Sequence, residues 1–378
     1  MERNPFRPNF GQVPARMAGR SGIMADLSAA FDNGPGDPNR TTVLIGARGT
    51  GKTALLTYMS SVALEHGWVP VDTVCDGGML EDILLQARKA TAHLVDAGGS
   101  APRVSEVSAQ VSIAGFGGGV GLKRDAASAG ADGSNWRLEM EEILDALAER
   151  GAGLLITVDE VDPQQPQMVK LASVYQFLVR AERPVALFMA GLPHNVSQLL
   201  SDKSVSFLRR ACQQHLGSIP DYEVADAFRR TAEGAGKGVG ADALAIATDA
   251  IEGFPFMLQL VGYRSWEASA GEPEITASHA EAGVALARRD MESRVLKTAL
   301  DELSEVSIRF LGAMMEDGRA SSTADIAGRL QRSSGYVSTY KRRLMEAGLI
   351  EEAGRGKVRF ALPCLRGYLP RYCDMYLS

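Results

Sequence analysis

The chain has 378 residues, 45% of them hydrophobic and 23% charged, with a formal net charge of -6. That length exceeds one ordinary compact core and predicts two or three domains, with the composition of a soluble globular protein. No apolar run reaches eighteen residues, and the opening MERNPFRPNFGQVPARMAGR has no signal-peptide core and three helix-breaking prolines, so a cytoplasmic location and no membrane contact are expected.

In chain order, TTVLIGARGTGKTALLTYMSSVALEHG reads as a buried strand (Thr42 to Ile45), a glycine-rich loop, and a helix from Lys52 to about Glu65. Within it, Gly46-x-x-x-x-Gly51-Lys52-Thr53 has the phosphate-loop spacing, with Ala47, Arg48, Gly49, Thr50 and Ala54 completing the turn. Glycines let backbone N–H groups wrap a polyphosphate, and the helix N-terminus adds its positive end. Lys52 would reach the β- and γ-phosphates of ATP, and the Thr53 hydroxyl would ligate Mg²⁺. A strand, WVPVDTVC, and a helix, MLEDILLQARKATAHLV, follow.

Residues 103–124 alternate apolar and polar types around a glycine turn and predict a hairpin insertion. Its GFGGG lacks the Lys-Ser/Thr of a second phosphate loop, and residues 125–134 read as a flexible tether. AGLLITVDEVD then supplies an apolar strand ending in acid. Asp159 would hold Mg²⁺ through water, Glu160 would polarise the attacking water, and Asp162 reads as a loop acid. Strands at Thr42, Trp68, Leu154 and Val185, separated by helical patterns, predict an α/β parallel sheet with the phosphate loop at its C-terminal edge. The four cysteines, Cys75, Cys212, Cys364 and Cys373, form no C-x-x-C pair and read as reduced packing residues.

Near the end of the chain the charge reverses. From Arg332 to Arg371 there are nine basic residues (Arg332, Lys341, Arg342, Arg343, Arg355, Lys357, Arg359, Arg366, Arg371) against three acidic ones (Glu346, Glu351, Glu352). DELSEVSIRFLGAMMEDG has Leu303, Val306, Phe310 and Met314 at helical spacing, TADIAGRL is a second helix, and SSGYVSTYKRRLMEAGLI a third, capped by Ser333 or Ser334. LIEEAGRGKVRFAL alternates about a Gly-Arg-Gly turn, as a two-stranded hairpin would.

These motifs resemble the AAA+ superfamily, in particular the branch shared by origin-recognition-type initiators and the related STAND and archaeal-type ATPases. The resemblance covers residues 4–266 and, for a C-terminal winged helix-turn-helix, 303–370. It implies a P-loop NTPase sheet flanked by helices (residues 41–220), preceded by a segment (1–40) whose Gly19 and Arg20 contact adenine. A helical lid (221–298) and the winged helix (299–378) would follow. Ser21 stands where that family usually has an acid. The resemblance further implies Asn195 as the polar sensor, with His194 a turn residue. It makes Arg209 or Arg210 an arginine finger for a neighbouring subunit, hence self-association. Gly253 and Pro255 form a Gly-x-Pro element in place of the Arg that many such proteins carry there, which suits a slow switch rather than a motor.

On the third C-terminal helix, Val337, Tyr340 and Leu344 would face the core, leaving Tyr336, Ser338, Thr339, Lys341 and Arg342 for a DNA groove. Arg355, Lys357 and Arg359 would meet phosphates or the minor groove. The first expectation is therefore an ATP-dependent, duplex-DNA-binding ATPase. The alternative is a signalling switch whose winged helix contacts an unidentified protein partner. An inactive ATP binder is disfavoured because Lys52, Thr53, Asp159 and Glu160 are all present.

Overall fold

The structure, a computed structural model, describes residues 3–9, 11–96 and 133–376. The expected hairpin and residues 125–132 of the expected tether lie outside the described residues, whereas Gly133 and Ser134 already belong to a helix. Five strands form one parallel sheet: β1 (Thr41–Ile45), β2 (Trp68–Val74), β3 (Gly153–Asp159), β4 (Val185–Gly191) and β5 (Cys212–His215), in the order β2-β3-β4-β1-β5. The first four are those anticipated from the sequence. β5 was not, because its half-buried CQQH at the sheet edge carries little apolar signal.

Burial on both faces explains why the inner strands read as continuous apolar runs. Along β4, Val185, Leu187 and Met189 face one side while Ala186, Phe188 and Ala190 face the other. The first side is covered by α3 (Met79–Asp96), α4 (Gly133–Ala148), α5 (Pro166–Arg180) and α6 (Pro193–Ser201). The second is covered by α1 (Ser21–Asp32) and α2 (Lys52–Glu65), through Leu27, Phe31, Leu55 and Met59. β1 and β3 flank β4 in register, Ile45 beside Gly191 and Val158 beside Met189. The phosphate loop and the Asp-Glu pair, more than a hundred residues apart in sequence, therefore emerge from the same edge of the sheet.

Beyond the sheet lie α7 (Asp221–Glu233), α8 (Ala241–Ile251), α9 (Pro255–Ala268) and α10 (Ala277–Met291). Two short parallel strands, β6 (Gly238–Val239) and β7 (Glu274–Ile275), tie their loops together. α10 runs without a break through a π turn, Glu292–Leu296, into α11 (Lys297–Asp301). The division drawn at 298/299 thus falls inside a helix rather than in a linker.

The C-terminal unit comprises α12 (Glu305–Met314), α13 (Thr323–Leu330) and α14 (Ser334–Glu346), capped by Ser304, Ser322 and Ser333 side chains. The expected two-stranded hairpin has a third member: β8 (Ser321–Ser322) pairs with β10 (Lys357–Phe360), which also pairs with β9 (Ile350–Glu352), all antiparallel. α15 (Leu365–Tyr376) closes the chain. Leu258, Met291, Leu296, Leu300, Phe310 and Tyr372 belong to one buried cluster that spans α9 to α11 and this unit. Burial on that scale makes the two move as one piece more readily than two domains joined by a linker.

Candidate functional site

The sequence motifs converge on a cleft of about 790 Å³ at the C-terminal edge of the sheet, a size suited to a small-molecule ligand. Arg48, Gly49, Thr50, Gly51, Lys52, Thr53 and Ala54 line it from the phosphate loop. Gly51, at φ 89°, is the left-handed N-cap of α2, which lets the loop turn its N–H groups inward. Thr50 Oγ1 donates to Ala47 O at 2.9 Å, and Lys52 Nζ donates to Gly46 O and Ala47 O, each at 2.9 Å. Burial pushes the Lys52 ammonium down to about 8, against the pull of Asp159 and Glu160.

Opposite, Thr53 Oγ1 donates to Asp159 Oδ2 at 2.5 Å. This pair of hard oxygen donors at the mouth of the phosphate loop fits Mg²⁺, which accepts one or two protein oxygens and takes the rest from water and phosphate. Among the described residues no cluster of three His, Cys, Asp or Glu forms a protein-only metal cage. Glu160 adopts φ 53°, a left-handed conformation that costs a non-glycine residue about 1–2 kcal/mol. Its own N–H donates to Asp159 Oδ1 at 2.9 Å. Strain of this kind concentrates where a side chain must be aimed, and here it leaves the Glu160 carboxylate exposed on the cleft.

The Gly19–Arg20 pair sits beside the loop, but Arg20 points into protein. Its guanidinium donates to the carbonyls of Gly217 (2.7 Å), Gly19 (3.2 Å) and Thr50 (3.5 Å). Burial pulls its pKa down, partly opposed by Glu223. Arg20 thus ties the N-terminal segment, the phosphate loop and the end of the sheet together, while Met17, Ala18 and Ile219 provide apolar cleft wall beside it. In the turn between α8 and α9, Gly253 (φ +71°) approaches so closely that a Cβ there would lie 2.5 Å from Ile219 O. Phe254 presses on Gly49, where a Cβ would lie 2.6 Å from its ring, and Pro255 opens α9 against Gly51.

Asn195 lines the same cleft and donates through Nδ2 to Val161 O at 2.9 Å, next to the Asp-Glu pair. Arg209 and Arg210 end a short 3₁₀ segment, Lys203–Arg210, outside the cleft lining. Arg209 is occupied: Nε donates to Leu200 O at 2.8 Å and Nη2 to Ser201 O at 3.3 Å, closing the C-terminus of α6. Arg210 is exposed, and its side chain makes no hydrogen bond or ion pair among the described residues.

In the C-terminal unit, Val337 and Leu344 are buried and Tyr340 is half-buried against the core. Tyr336 stacks on Tyr340 (4.8 Å between rings), with Arg332 over the first ring and Arg343 over the second. Three of the expected basic contacts are already paired. Lys341 reaches Glu352 at 2.7 Å, Arg359 reaches Glu351 at 2.6 Å, and Arg342 lies 3.4 Å from Glu346. Ser338 is exposed one turn before Arg342, and Thr339 donates to Gly335 O at 3.1 Å. Arg355 and Lys357 are exposed, without side-chain partners among the described residues.

Sequence reasoning missed how this unit meets the cleft. The turn after α14 lies on the phosphate loop, where a Cβ on Gly348 would stand 3.8 Å from Arg48 N and 3.9 Å from Ala47 Cα. Ala347 and Leu362 line the cleft itself. His194, expected as a plain turn residue, bridges to Glu346 with Nδ1 3.3 Å from Oε1. Arg294, Val295 and Thr298 line the cleft from the π turn and α11, and Arg7, Gln12 and Arg16 from the N-terminal segment. That segment is anchored by Phe6, buried against Gly262 and stacked on Phe228 at 5.2 Å. Only the apolar Phe6 among polar neighbours hinted at an anchor.

The family model of the AAA ATPase domain matches residues 16–190, and that of a domain of unknown function, DUF8462, matches residues 293–369. Among solved structures, the Walker-type ATPase of Pyrococcus abyssi aligns with a TM-score of 0.66 at 14% identity, covering 94% of this chain and 96% of that one. The ORC2 protein of Aeropyrum pernix, solved as ADPNP–ADP complexes, aligns with a TM-score of 0.58 at 14% identity, covering 98% of each chain. At these identities the likeness is one of fold. No curated protein matches the chain's sequence. No described helix is long and apolar enough to cross a membrane.

Proposed function

We propose that this chain is a nucleotide-gated ATPase that presents a winged helix to duplex DNA. ATP enters the cleft with its polyphosphate on Gly46 to Ala54 and its base beside Gly19, Arg20 and Ile219. Gly253 and Pro255 close from the lid. Thr53 and Asp159 hold Mg²⁺, which when bound neutralises developing charge between the phosphates. Lys52 grips the β- and γ-phosphates, Glu160 polarises the attacking water, and Asn195 orients it from beside Val161. α9 begins Pro255-Phe256-Met257-Leu258 and offers no cation to the phosphates, so turnover is expected to be slow, as in a switch. Of the two candidate fingers, Arg210 is free to reach a second copy of the chain, whereas Arg209 would first have to leave the carbonyls of α6.

One observation carries the gating. The Ala347–Gly348 turn rests on Ala47 and Arg48 of the phosphate loop, and Glu346 of the same helix bridges to His194, next to Asn195. Any change in that loop on nucleotide binding or hydrolysis is thereby felt by α14. The three helices and three-stranded sheet of the C-terminal unit support the winged-helix reading. α14 would enter the major groove, with Ser338, Thr339, Arg342 and Tyr336 near bases, while Arg355, Lys357, Arg359 and Lys341 meet phosphates.

A second reading, a signalling switch whose winged helix binds protein, is favoured by the pairing of Lys341, Arg342 and Arg359 with glutamates, which spends part of the local positive charge. The enzymatic part of the proposal is tested by Mg²⁺-dependent phosphate release from ATP beside Glu160→Gln. Slow release by the wild type, and retained ATP binding with at least a hundredfold slower release by the variant, are expected. Equal release by both would remove Glu160 from the chemistry, and no ATP binding by either would end the ATPase reading.

A further inference from the structure

We infer that Arg294 is the residue by which the cleft tells a nucleoside triphosphate from a diphosphate, a positioning cation supplied by the junction between the lid and the C-terminal unit; this rests on the nucleotide-cleft reading above. The geometry begins with the π turn. The buried stripe of α10 runs Val284, Ala287, Met291, at ordinary helical spacing. The next buried position is Leu296, five residues on, followed by Ala299 and Leu300. A plain α-helix would have placed position 294 or 295 in that stripe. The π turn at Glu292–Leu296 inserts the extra residue, and Arg294, Val295 and Thr298 instead line the cleft. π turns of this kind occur frequently at functional sites.

The charge of Arg294 is not neutralised by an ion pair among the described residues, and Tyr263 is an electrostatic neighbour that it does have. The acids nearest it in sequence are engaged elsewhere: Asp290 accepts from Arg264 at 2.8 Å, and Glu292 pairs with Arg371. Arg294 is exposed and forms no hydrogen bond or ion pair among the described residues. The other cleft cations are placed differently. Lys52 and Arg20 are bonded to backbone carbonyls, and Arg48, on the phosphate loop itself, lines both this cleft and a second cavity that it shares with Arg343, Ala299 and Ala347. Arg7 and Arg16 lie on the N-terminal segment that leads to Gly19. Ala299, on the same helix as Arg294, reaches the cavity beside Arg48, so this helix passes over the start of the phosphate loop. A planar guanidinium on it, held in no hydrogen bond or ion pair among the described residues, suits a phosphate oxygen. A terminal phosphate gripped there would tie the nucleotide to the helix that carries the C-terminal unit.

The test is the affinity of full-length protein for Mg²⁺ complexes of a slowly hydrolysed ATP analogue and of ADP, in the wild type, Arg294→Ala and Arg294→Lys. The expected result is a loss of about tenfold or more for the analogue in Arg294→Ala, the scale of a charge-assisted hydrogen bond. ADP affinity should stay within about twofold, with partial recovery in Arg294→Lys. Equal losses for both nucleotides would make Arg294 merely structural, and no loss for either would remove it from the site. Either result overturns the inference while leaving the nucleotide cleft intact. A wild type that binds neither nucleotide would overturn the cleft reading, and the inference with it.

Discussion

Nucleotide binding to this cleft should take up a proton, and the amount should depend on pH in a way set by Lys52. In this structure its ammonium donates to two carbonyls but is largely cut off from water, which lowers its pKa from 10.5 to about 8. Asp159 and Glu160 oppose the drop and Arg48 adds to it. A polyphosphate laid across the loop brings several negative charges against Nζ and restores the ammonium. The uptake is then the neutral fraction before binding: about 0.1 proton at pH 7, about 0.5 at pH 8 and about 0.9 at pH 9. Above pH 7 the terminal phosphate, with its last pKa near 6, contributes little. Calorimetric titration of a slowly hydrolysed ATP analogue in buffers of different ionisation enthalpy reads the number directly. Lys52→Arg keeps a cation that does not titrate, so its uptake should be near zero throughout. A wild-type uptake that is flat from pH 7 to 9, or an unchanged profile in Lys52→Arg, would refute the reasoning. The same shift has a stability sign. Because the folded pKa lies below the unfolded one, burial of the charge is a penalty fully present below about pH 8, worth about 3 kcal/mol. The nucleotide-free protein should gain stability as pH rises from there toward 10.5.

Gly253→Ala must place a Cβ 2.5 Å from Ile219 O at φ +71°, and should destabilise the protein by about 2–4 kcal/mol in urea unfolding. Gly34→Ala, at φ +85° with open space around it, should cost only the conformational strain of about 1–2 kcal/mol. Lys357→Ala should weaken duplex binding at all sequences and reduce the salt slope by about one. Glu352→Gln, which releases Lys341, should strengthen binding instead, and filter binding across a salt series separates the two. Asp317 is held down at about 2, first by its bonds to Arg329 and then by Ser321. Its folded pKa lies below the unfolded 3.8, so its contribution is present above that value and is lost as pH falls through about 2. Acid unfolding of Asp317→Asn, followed by circular dichroism, should lack that part of the wild-type slope.

What was legible in the sequence was what is local. The phosphate loop needs only eight consecutive residues between a strand and a helix, and β3 announces itself through Leu154 to Val158 because both of its faces are buried. β5 hid behind Gln213, Gln214 and His215, because this edge strand alternates half-buried and exposed residues and buries none fully. Long-range pairings were out of reach for a different reason. Nothing at Gly348 signals that it will lie on Ala47, and the glutamate that pairs with Lys341 comes from β9, a strand that begins only after α14 ends. The π turn was illegible because a five-residue step between Met291 and Leu296 looks, in one dimension, like a lapse in helical periodicity. Arg20 shows the converse case. The motif was visible, but its guanidinium faces three backbone carbonyls rather than the open cleft.

The central claim is that the nucleotide in the cleft governs what the C-terminal unit can bind. The most direct measurement is the anisotropy of a labelled random-sequence duplex titrated with full-length protein at low salt, under three conditions: no nucleotide, Mg²⁺-ADP, and the Mg²⁺ complex of a slowly hydrolysed ATP analogue. Binding at least tenfold tighter with the analogue than with ADP, and reduced when Arg342 and Lys357 are both replaced by alanine, is the predicted result. Equal affinity in all three states, or no binding in any state at a salt concentration that favours even non-specific contacts, would contradict it.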